Sequence, residues 1–469
     1  MQTLVEPEYA HKWRVFATVA CGSFMATIDL SVVNLALPAL REAFGIDIAQ
    51  VEWVVLSYLL TITSLLLTMG RLADIVGRAR LYNLGFAVFT AGSILCGAAP
   101  TILALILFRL VQAVGASMLI SSATAVLLDA FPARQRGQVM GLNGTIFSAG
   151  AMVGPTLGGA LLTYLGWRSI FLVNVPVGVL GMVLAFRFLP RQPGLKGLKF
   201  DLLGSVLVGL TIVLLLLAIN QGQQVGWTAA VAALGGGSVV VGAAFVVRQV
   251  TATEPLLPFR LFRTPGFTNA LAAQTLAALS MAANLFLLPF FLVRIQGRPE
   301  AQAGTILLAS SVTSFVIQPV GGWLADRFDV RYVASAGLSL TLLGYWLYSG
   351  VDAAWSAADV IWRMVVMSLG YGIFMSPNAS AAYRYVAADE RGLAVGVMAF
   401  WRNLGLTVGT AVAASVWTLR SGAAGQALGL DPQSKPAEVA GLHDSFLIVG
   451  CLIVAALLCS LARPSVSRK

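Results

Sequence analysis

Asp29 stands inside an uninterrupted apolar stretch, residues 15–37, in the segment FMATIDLSVVNLALP. At ~1.5 Å per residue the stretch can cross a hydrocarbon core of ~30 Å, and Asp29 lies ~21 Å from its start. A carboxylate at that depth is costly unless it is protonated, paired or wetted. Two readings are open: a helix-end acid in a shorter span, or a site that takes up a proton or cation. Arg109 sits in the apolar run 102–128, ~12 Å from its outer end and ~18 Å from the inner face, close to the depth of Asp29. Pairing would lower the cost of both charges and make the acidity of Asp29 depend on conformation. Two further arginines fall in apolar runs. Arg363 either snorkels to the interface or binds a ligand, whereas Arg402, ~15 Å into its run, is expected to face a cavity. Asn34, Tyr58, Gln112, Asn143, Asn284, Gln318 and Tyr371 are the polar members of the helices expected to line it. They divide between interhelical hydrogen bonds and substrate contacts.

Other chemistries lack their residues. Cys21, Cys96, Cys451 and Cys459 all lie in apolar runs without a CxxC pair, and His11 and His443 are isolated, so neither a disulfide nor a metal centre is expected. The chain has no GxxxxGK[ST] phosphate loop and no nucleophile–base constellation, which argues against an ATP motor or an enzyme. The proton is the one cofactor-like species implied. The first apolar run is long and has many successors, so it reads as a span and not a cleaved signal.

The elements that carry these residues follow from composition. With 58% hydrophobic residues, 11% charged residues and a mean hydropathy of +0.85, the chain is expected to be an all-α integral membrane protein. Fourteen apolar runs, from 15–37 to 446–462, are long enough to span. They are continuous rather than alternating, which excludes a barrel. Most of the 30 Lys and Arg fall in the two ends and alternate loops, among them RLADIVGRAR, DAFPARQRGQ and RFLPRQPGLKGLK. This bias places both termini in the cytoplasm and accounts for the net charge of +10 without a nucleic-acid partner. Residues 420–444, rich in Gly, Ala, Pro and Ser, read as a solvated outer loop.

The sequence repeats internally. GRLADIVGRAR at 70–80 and GWLADRFDVR at 322–331 both place G-x-L-A-D at the inner end of an even-numbered span, a mark of duplication. It divides the chain into a six-helix half at 1–195, two inserted helices at 196–250 and a second six-helix half at 251–469. The inserted run LLGSVLVGLTIVLLLLA is Leu-rich all round, as expected of a lipid-facing helix. Gly150, Gly154 and Gly158 recur every fourth residue, with Gly159 beside them and Pro155 between. Such a face serves close helix packing, and the proline can also bend the helix.

Together these segments resemble the major facilitator superfamily, and within it the 14-span drug:proton antiporters. The first-span acid followed by VVNLALP, the loop GRLADIVGR, the fourth-span LFRLVQAVG, the fifth-span GAMVGPTLGG and WRSIFLVNVPVG carry the likeness. The pattern departs at Ala113, where Gly is usual, and at Asp329 and Val330, which stand where the first loop has Gly77 and Arg78. The resemblance implies two six-helix halves plus two inserted helices and a proton-coupled exporter of amphipathic or cationic small molecules. Asp29 and Arg109 would couple the proton. Gly70, Asp74, Gly77, Arg78 and Asp129 would form an inner gate, with Asp74 capping span thirteen near 391–393 and Arg78 bridging to Asp129. Gly150, Gly154, Pro155, Gly158 and Gly159 would form the antiport helix. The implied partners are a small-molecule substrate, protons and the bilayer of the cell membrane, with the monomer as the working unit. The local charge count, three membrane arginines against one aspartate, points instead to an anionic or lipid-like substrate on the same fold. A non-transporting scaffold is the remaining class.

Overall fold

The computed structural model describes residues 11–190, 194, 200–226, 228–252, 255–257, 259–387, 390–431 and 434–464. Most of the basic stretch 191–199, and with it the expected boundary at 195–196, lies outside them. The fold is all-α: α1 Lys12–Phe44, α2 Ile48–Val76, α3 Arg78–Gly97, α4 Ile102–Ala130, α5 Arg136–Leu165, the short α6 Ser169–Leu172 continued by α7 Asn174–Phe188, α8 Leu202–Val225, α9 Ala229–Thr251, α10 Pro265–Phe290, α11 Glu300–Arg327, α12 Val330–Ser349, α13 Ala357–Arg384, α14 Arg391–Leu428 and α15 Lys435–Leu461. Backbone polar groups in hydrocarbon must be satisfied within their own segment, which is why continuous apolar runs become helices.

Among the described residues, counting α6 and α7 as one, fourteen helices match the fourteen apolar runs, and twelve of these are long and apolar enough to cross a membrane. The other two are α12, with Arg331, Tyr332, Tyr345 and Tyr348, and α14, with Trp401, Arg402 and Asn403. Polar and aromatic side chains there lower hydropathy along helices of ample length.

Two compact units form. The first comprises the described residues of Met1–Ala218, Trp227–Leu261 and Val386–Phe400, so it includes the start of α14. The second comprises Ile219–Gly226, Phe262–Tyr385 and the described part of Trp401–Lys469.

Each unit contains the same helix pair. In the first, α3 and α4 meet so closely that a Cβ on Gly115 would lie 2.3 Å from the Phe89 nitrogen and 2.9 Å from the Gly85 carbonyl. In the second, a Cβ on Gly370 would lie 2.3 Å from the Thr341 nitrogen and 2.6 Å from the Gly337 carbonyl, between α13 and α12. A turn or two along, Gly92 meets Gln112 and Gly344 meets Met367 in the same way. The structural register therefore sets Gln112 against Met367, and Arg109 three residues earlier against Met364. Both methionines are 0% exposed in the apolar core of the second unit. At these two positions the duplicated scaffold carries polar chemistry in one copy and apolar packing in the other.

The two inserted helices are clipped at one end. The Asp201 carboxylate accepts from the Gly204 nitrogen at 3.0 Å, from Gln249 Nε2 at 3.0 Å and from Arg248 Nε at 3.1 Å. Burial pushes this carboxyl up, but the Gly204, Gln249 and Arg248 donors outweigh it and hold it below the usual carboxylate range.

Candidate functional site

Asp29 lies midway along α1 at 1% exposure and meets α4 across the first unit. Its Oδ2 accepts from Arg109 Nη1 at 2.7 Å. Its Oδ1 accepts from Gln112 Nε2 at 2.9 Å and from Asn174 Nδ2, at the start of α7, at 2.8 Å. Arg109 and Gln112 are one turn apart on α4, both 0% exposed, and Arg109 Nη1 also donates to Gln112 Oε1 at 2.7 Å. Gln112 Nε2 continues to Ser93 Oγ on α3 at 2.8 Å, and Arg109 Nε donates to the Val54 carbonyl of α2 at 3.1 Å. The Tyr58 ring lies 3.9 Å from the guanidinium carbon and gives it a π face. Five helices thus converge on one ion pair. Three donors from α4 and α7 surround the carboxylate.

A second cluster joins the ends of α2, α3 and α4 to the start of α14. Gly77, with φ at +104°, makes the one-residue turn between α2 and α3, a conformation that excludes a side chain. This turn sets Arg78 beside Asp74. Asp74 Oδ1 accepts from Arg78 Nη2 at 3.0 Å, and Oδ2 accepts from the Leu393 nitrogen at 2.9 Å in the first turn of α14. Here a carboxylate satisfies an otherwise unpaired N–H at the positive end of a helix. Arg78 Nη1 donates to Asp129 Oδ2 at 2.6 Å, and Arg391 Nη1 reaches Asp129 Oδ1 at 3.6 Å. The helices touch through glycines. A Cβ on Gly70 would lie 3.0 Å from the Gly392 carbonyl, and one on Gly392 would lie 2.1 Å from Asp74 Oδ1.

The glycine face of α5 is turned to α1 of its own unit. Cβ atoms on Gly150, Gly154 and Gly158 would meet Thr27 at 2.8 Å, Ser31 at 2.4 Å and Val32 at 3.1 Å, while Gly159 has nothing within 4 Å. Pro155 lies inside α5, and the three packed glycines bring α5 against the stretch of α1 that holds Asp29.

A sequence profile of the Major Facilitator Superfamily matches residues 19–410 and again 270–466. The chain belongs to the major facilitator superfamily. It is similar to the riboflavin transporter RibZ of Clostridioides difficile, 33% identical over 85% of this chain and 87% of the relative. It is also similar to the cephamycin export protein CmcT of Amycolatopsis lactamdurans, 33% identical over 96% and 92%. The multidrug resistance protein Stp of Mycobacterium tuberculosis is 32% identical over 84% and 74%. Among solved structures, the human organic anion transporter MFSD10 superposes with a TM-score of 0.64 over 96% of this chain and 99% of that one, at 16% identity. The xylose symporter XylE gives 0.63 over 96% and 95% at 12% identity. The fold is that of the superfamily, and the chain is a multi-pass membrane transporter rather than an enzyme.

The remaining sequence candidates of this superfamily member are scattered. Asn143 accepts from Ser23 Oγ at 3.1 Å, between α5 and α1. Asn34 is exposed on α1 and stands apart from the Asp29 cluster. In the second unit Asn284 is 3% exposed on α10, whereas Gln318 and Tyr371 are half-buried on α11 and α13. Arg402 is half-buried and interacts electrostatically with Tyr371 and Tyr383. Arg363 bonds the Asp359 carbonyl at 2.8 Å and lies 4.0 Å from the Trp355 ring and 4.3 Å from the Trp362 ring. Absent from the sequence candidates are Asn174, Ser93, Gly392 and Gly396, the last of which has its Cα 3.1 Å from where a Cβ on Gly70 would lie. Asn174 was inside a segment noted only for its likeness, and an asparagine near a helix start reads as an ordinary cap. Gly392 and Gly396 follow Arg391 at a four-residue spacing, which was the available signal for a close crossing.

Proposed function

We propose that this transporter is a proton-coupled antiporter of the 14-span drug:proton type, exporting an amphipathic or cationic small molecule by alternating access. The observation that carries the reading is the fully buried Asp29 carboxylate held by Arg109, Gln112 and Asn174. In this state a proton reaches Asp29 only after the donors withdraw. Protonation removes the partner of Arg109, which must then find other acceptors or water, and the cost of leaving it unpaired couples the proton to helix movement. Inward proton movement supplies ~2.3 kcal/mol per 100 mV for each charge. The Asp74–Leu393 and Arg78–Asp129 contacts would close the cytoplasmic side and break as it opens.

On this reading the halves 1–195 and 251–469 alternate access, with the inserted helices 196–250 joining them in the chain. Both termini face the cytoplasm, the cell membrane holds the protein, and the monomer is sufficient. Asn34, Tyr58, Gln112, Asn143, Asn284, Gln318, Tyr371 and Arg402 supply the substrate cavity. Relatives named for drug resistance and cephamycin export support the direction of transport. Reconstitution tests it: a pH gradient across proteoliposomes drives uphill flux of a candidate compound by wild type and not by Asp29→Asn. Equal uphill flux by both would remove Asp29 from the coupling role.

An anionic substrate is the second reading, favoured by Arg402. Among the described residues no carboxylate pairs with it, and it interacts electrostatically with two tyrosines, Tyr371 and Tyr383. A cation competing with the proton for Asp29 binds better as pH rises, whereas an anion held by Arg402 binds best with Asp29 protonated. Binding across pH to wild type and Arg402→Gln separates the two.

A further inference from the structure

A cavity of about 590 Å³ lies within the first unit, walled by α2 and α4 on one side and by the inserted helix α8 on the other. Its size is that of a small-molecule site. Its rim residues Leu110, Leu202 and Val206 are 37%, 67% and 56% exposed. All three belong to helices apolar enough to span, so the cavity opens toward lipid and not toward water. No charged side chain lines it among the described residues.

The cavity surface is almost wholly apolar, with hydroxyl-bearing residues set into one wall. Ser57, Thr61, Ser64 and Thr68 recur at spacings of four and three along α2, and all four line the cavity. Thr61 and Ser64 return their protons to the Ser57 and Leu60 carbonyls, each at 2.7 Å. Ser57 and Thr68 do not. They are 5% and 6% exposed, and among the described residues neither hydroxyl has a partner. The two stand ~16 Å apart along the helix, one toward each end of the series. A buried hydroxyl without an acceptor is costly, and here both belong to residues of the uncharged cavity's wall. The opposite wall is kept back by Gly209, whose absent Cβ would meet only Ser64, at 3.9 Å.

We propose that this cavity is a lipid site: one acyl chain of a bilayer phospholipid lies along α2 against α8, with an ester carbonyl accepting from Thr68 or Ser57. The absence of charge excludes a headgroup from the cavity itself, and the exposed apolar rim lets the chain arrive sideways from the bilayer. The bound chain supplies the packing that α8 lacks against α2 and α4, so the inserted helices are attached to the six-helix half partly through lipid. The inference does not depend on proton coupling.

The test uses the full-length protein in nanodiscs of phosphatidylglycerol and phosphatidylcholine carrying a trace of phosphatidylcholine with a diazirine on its acyl chain. Photolysis is expected to label Ser205, Gly209 and their neighbours at least fivefold more densely than Val239 and Val240, which are 73% and 70% exposed on α9. Gly209→Phe, which fills the space, should abolish the excess while labelling on α9 persists. Native mass spectrometry after delipidation should find one phospholipid retained by wild type and lost from Gly209→Phe. Thr68→Val combined with Ser57→Ala, which keeps shape and removes the donors, should lower that retention severalfold. Labelling no denser than on α9, retention unchanged by these substitutions, or a retained mass that is not a phospholipid would each overturn the proposal. The last outcome would make the cavity a site for a transported compound. Unchanged melting temperature separates loss of the site from loss of the fold.

Discussion

Asn174 Nδ2 donates to Asp29 Oδ1 at 2.8 Å, joining residues 145 positions apart in the chain. The contact turns a charge pair into a three-donor cage. It also holds the start of α7 to the middle of α1. The amide Oδ1 of Asn174 has no partner among the described residues, which leaves the side chain able to reverse and accept from a protonated Asp29.

Asn174→Ala removes one charge-assisted hydrogen bond and should destabilise the protein by about 1.5–3 kcal/mol. In an Asp29→Ala background the same change should cost much less. A double-mutant cycle on detergent unfolding measures the difference. Additive effects would mean the contact carries no energy.

Asp29→Asn should abolish pH-gradient-driven flux and also lower the melting temperature, since Arg109 is 0% exposed and loses its charge partner. Breaking a buried pair on one side costs about 3–5 kcal/mol. Adding Arg109→Gln should recover part of the stability and none of the coupling. Thermal unfolding followed beside transport distinguishes the two losses.

Gly392→Ala should open the inner cluster without touching a charge. Its Cβ would lie 2.1 Å from Asp74 Oδ1, so the carboxylate must leave the Leu393 nitrogen. Accessibility of a cysteine placed on the cytoplasmic side should rise as it does for Asp74→Asn. No change in either variant would deny this cluster a gating role.

The Asp201 clip predicts a pH dependence with a definite sign. Its carboxyl is depressed when folded, so the stabilisation is complete above the unfolded value of ~3.9 and is lost as pH falls through the lower folded value. Stability at pH 5–8 should therefore be insensitive to this group, with a loss near and below pH ~4 that Asp201→Asn does not show. Melting curves in detergent from pH 3 to 8 check it.

Much of this architecture was legible in the chain. Continuous apolar runs dictate helices because hydrocarbon offers the backbone no other partner. The G-x-L-A-D repeat announced the duplication that the Gly85–Gly115 and Gly337–Gly370 contacts display. The depth of Asp29 and Arg109 could be reckoned from rise per residue alone. What the chain could not state was which polar residues meet. Asn174 and Asn34 look alike in sequence, yet one is 1% exposed on Asp29 and the other points outward. Helical periodicity fixes a residue's angle about its own axis, but the partner is set by how separate helices rotate and cross, and small residues govern that. For the same reason the glycine face of α5 was readable as a packing face, while its partner α1 was decided only in three dimensions. The cavity beside α8 was invisible too, because it is a property of the gap between helices, and no single helix encodes it.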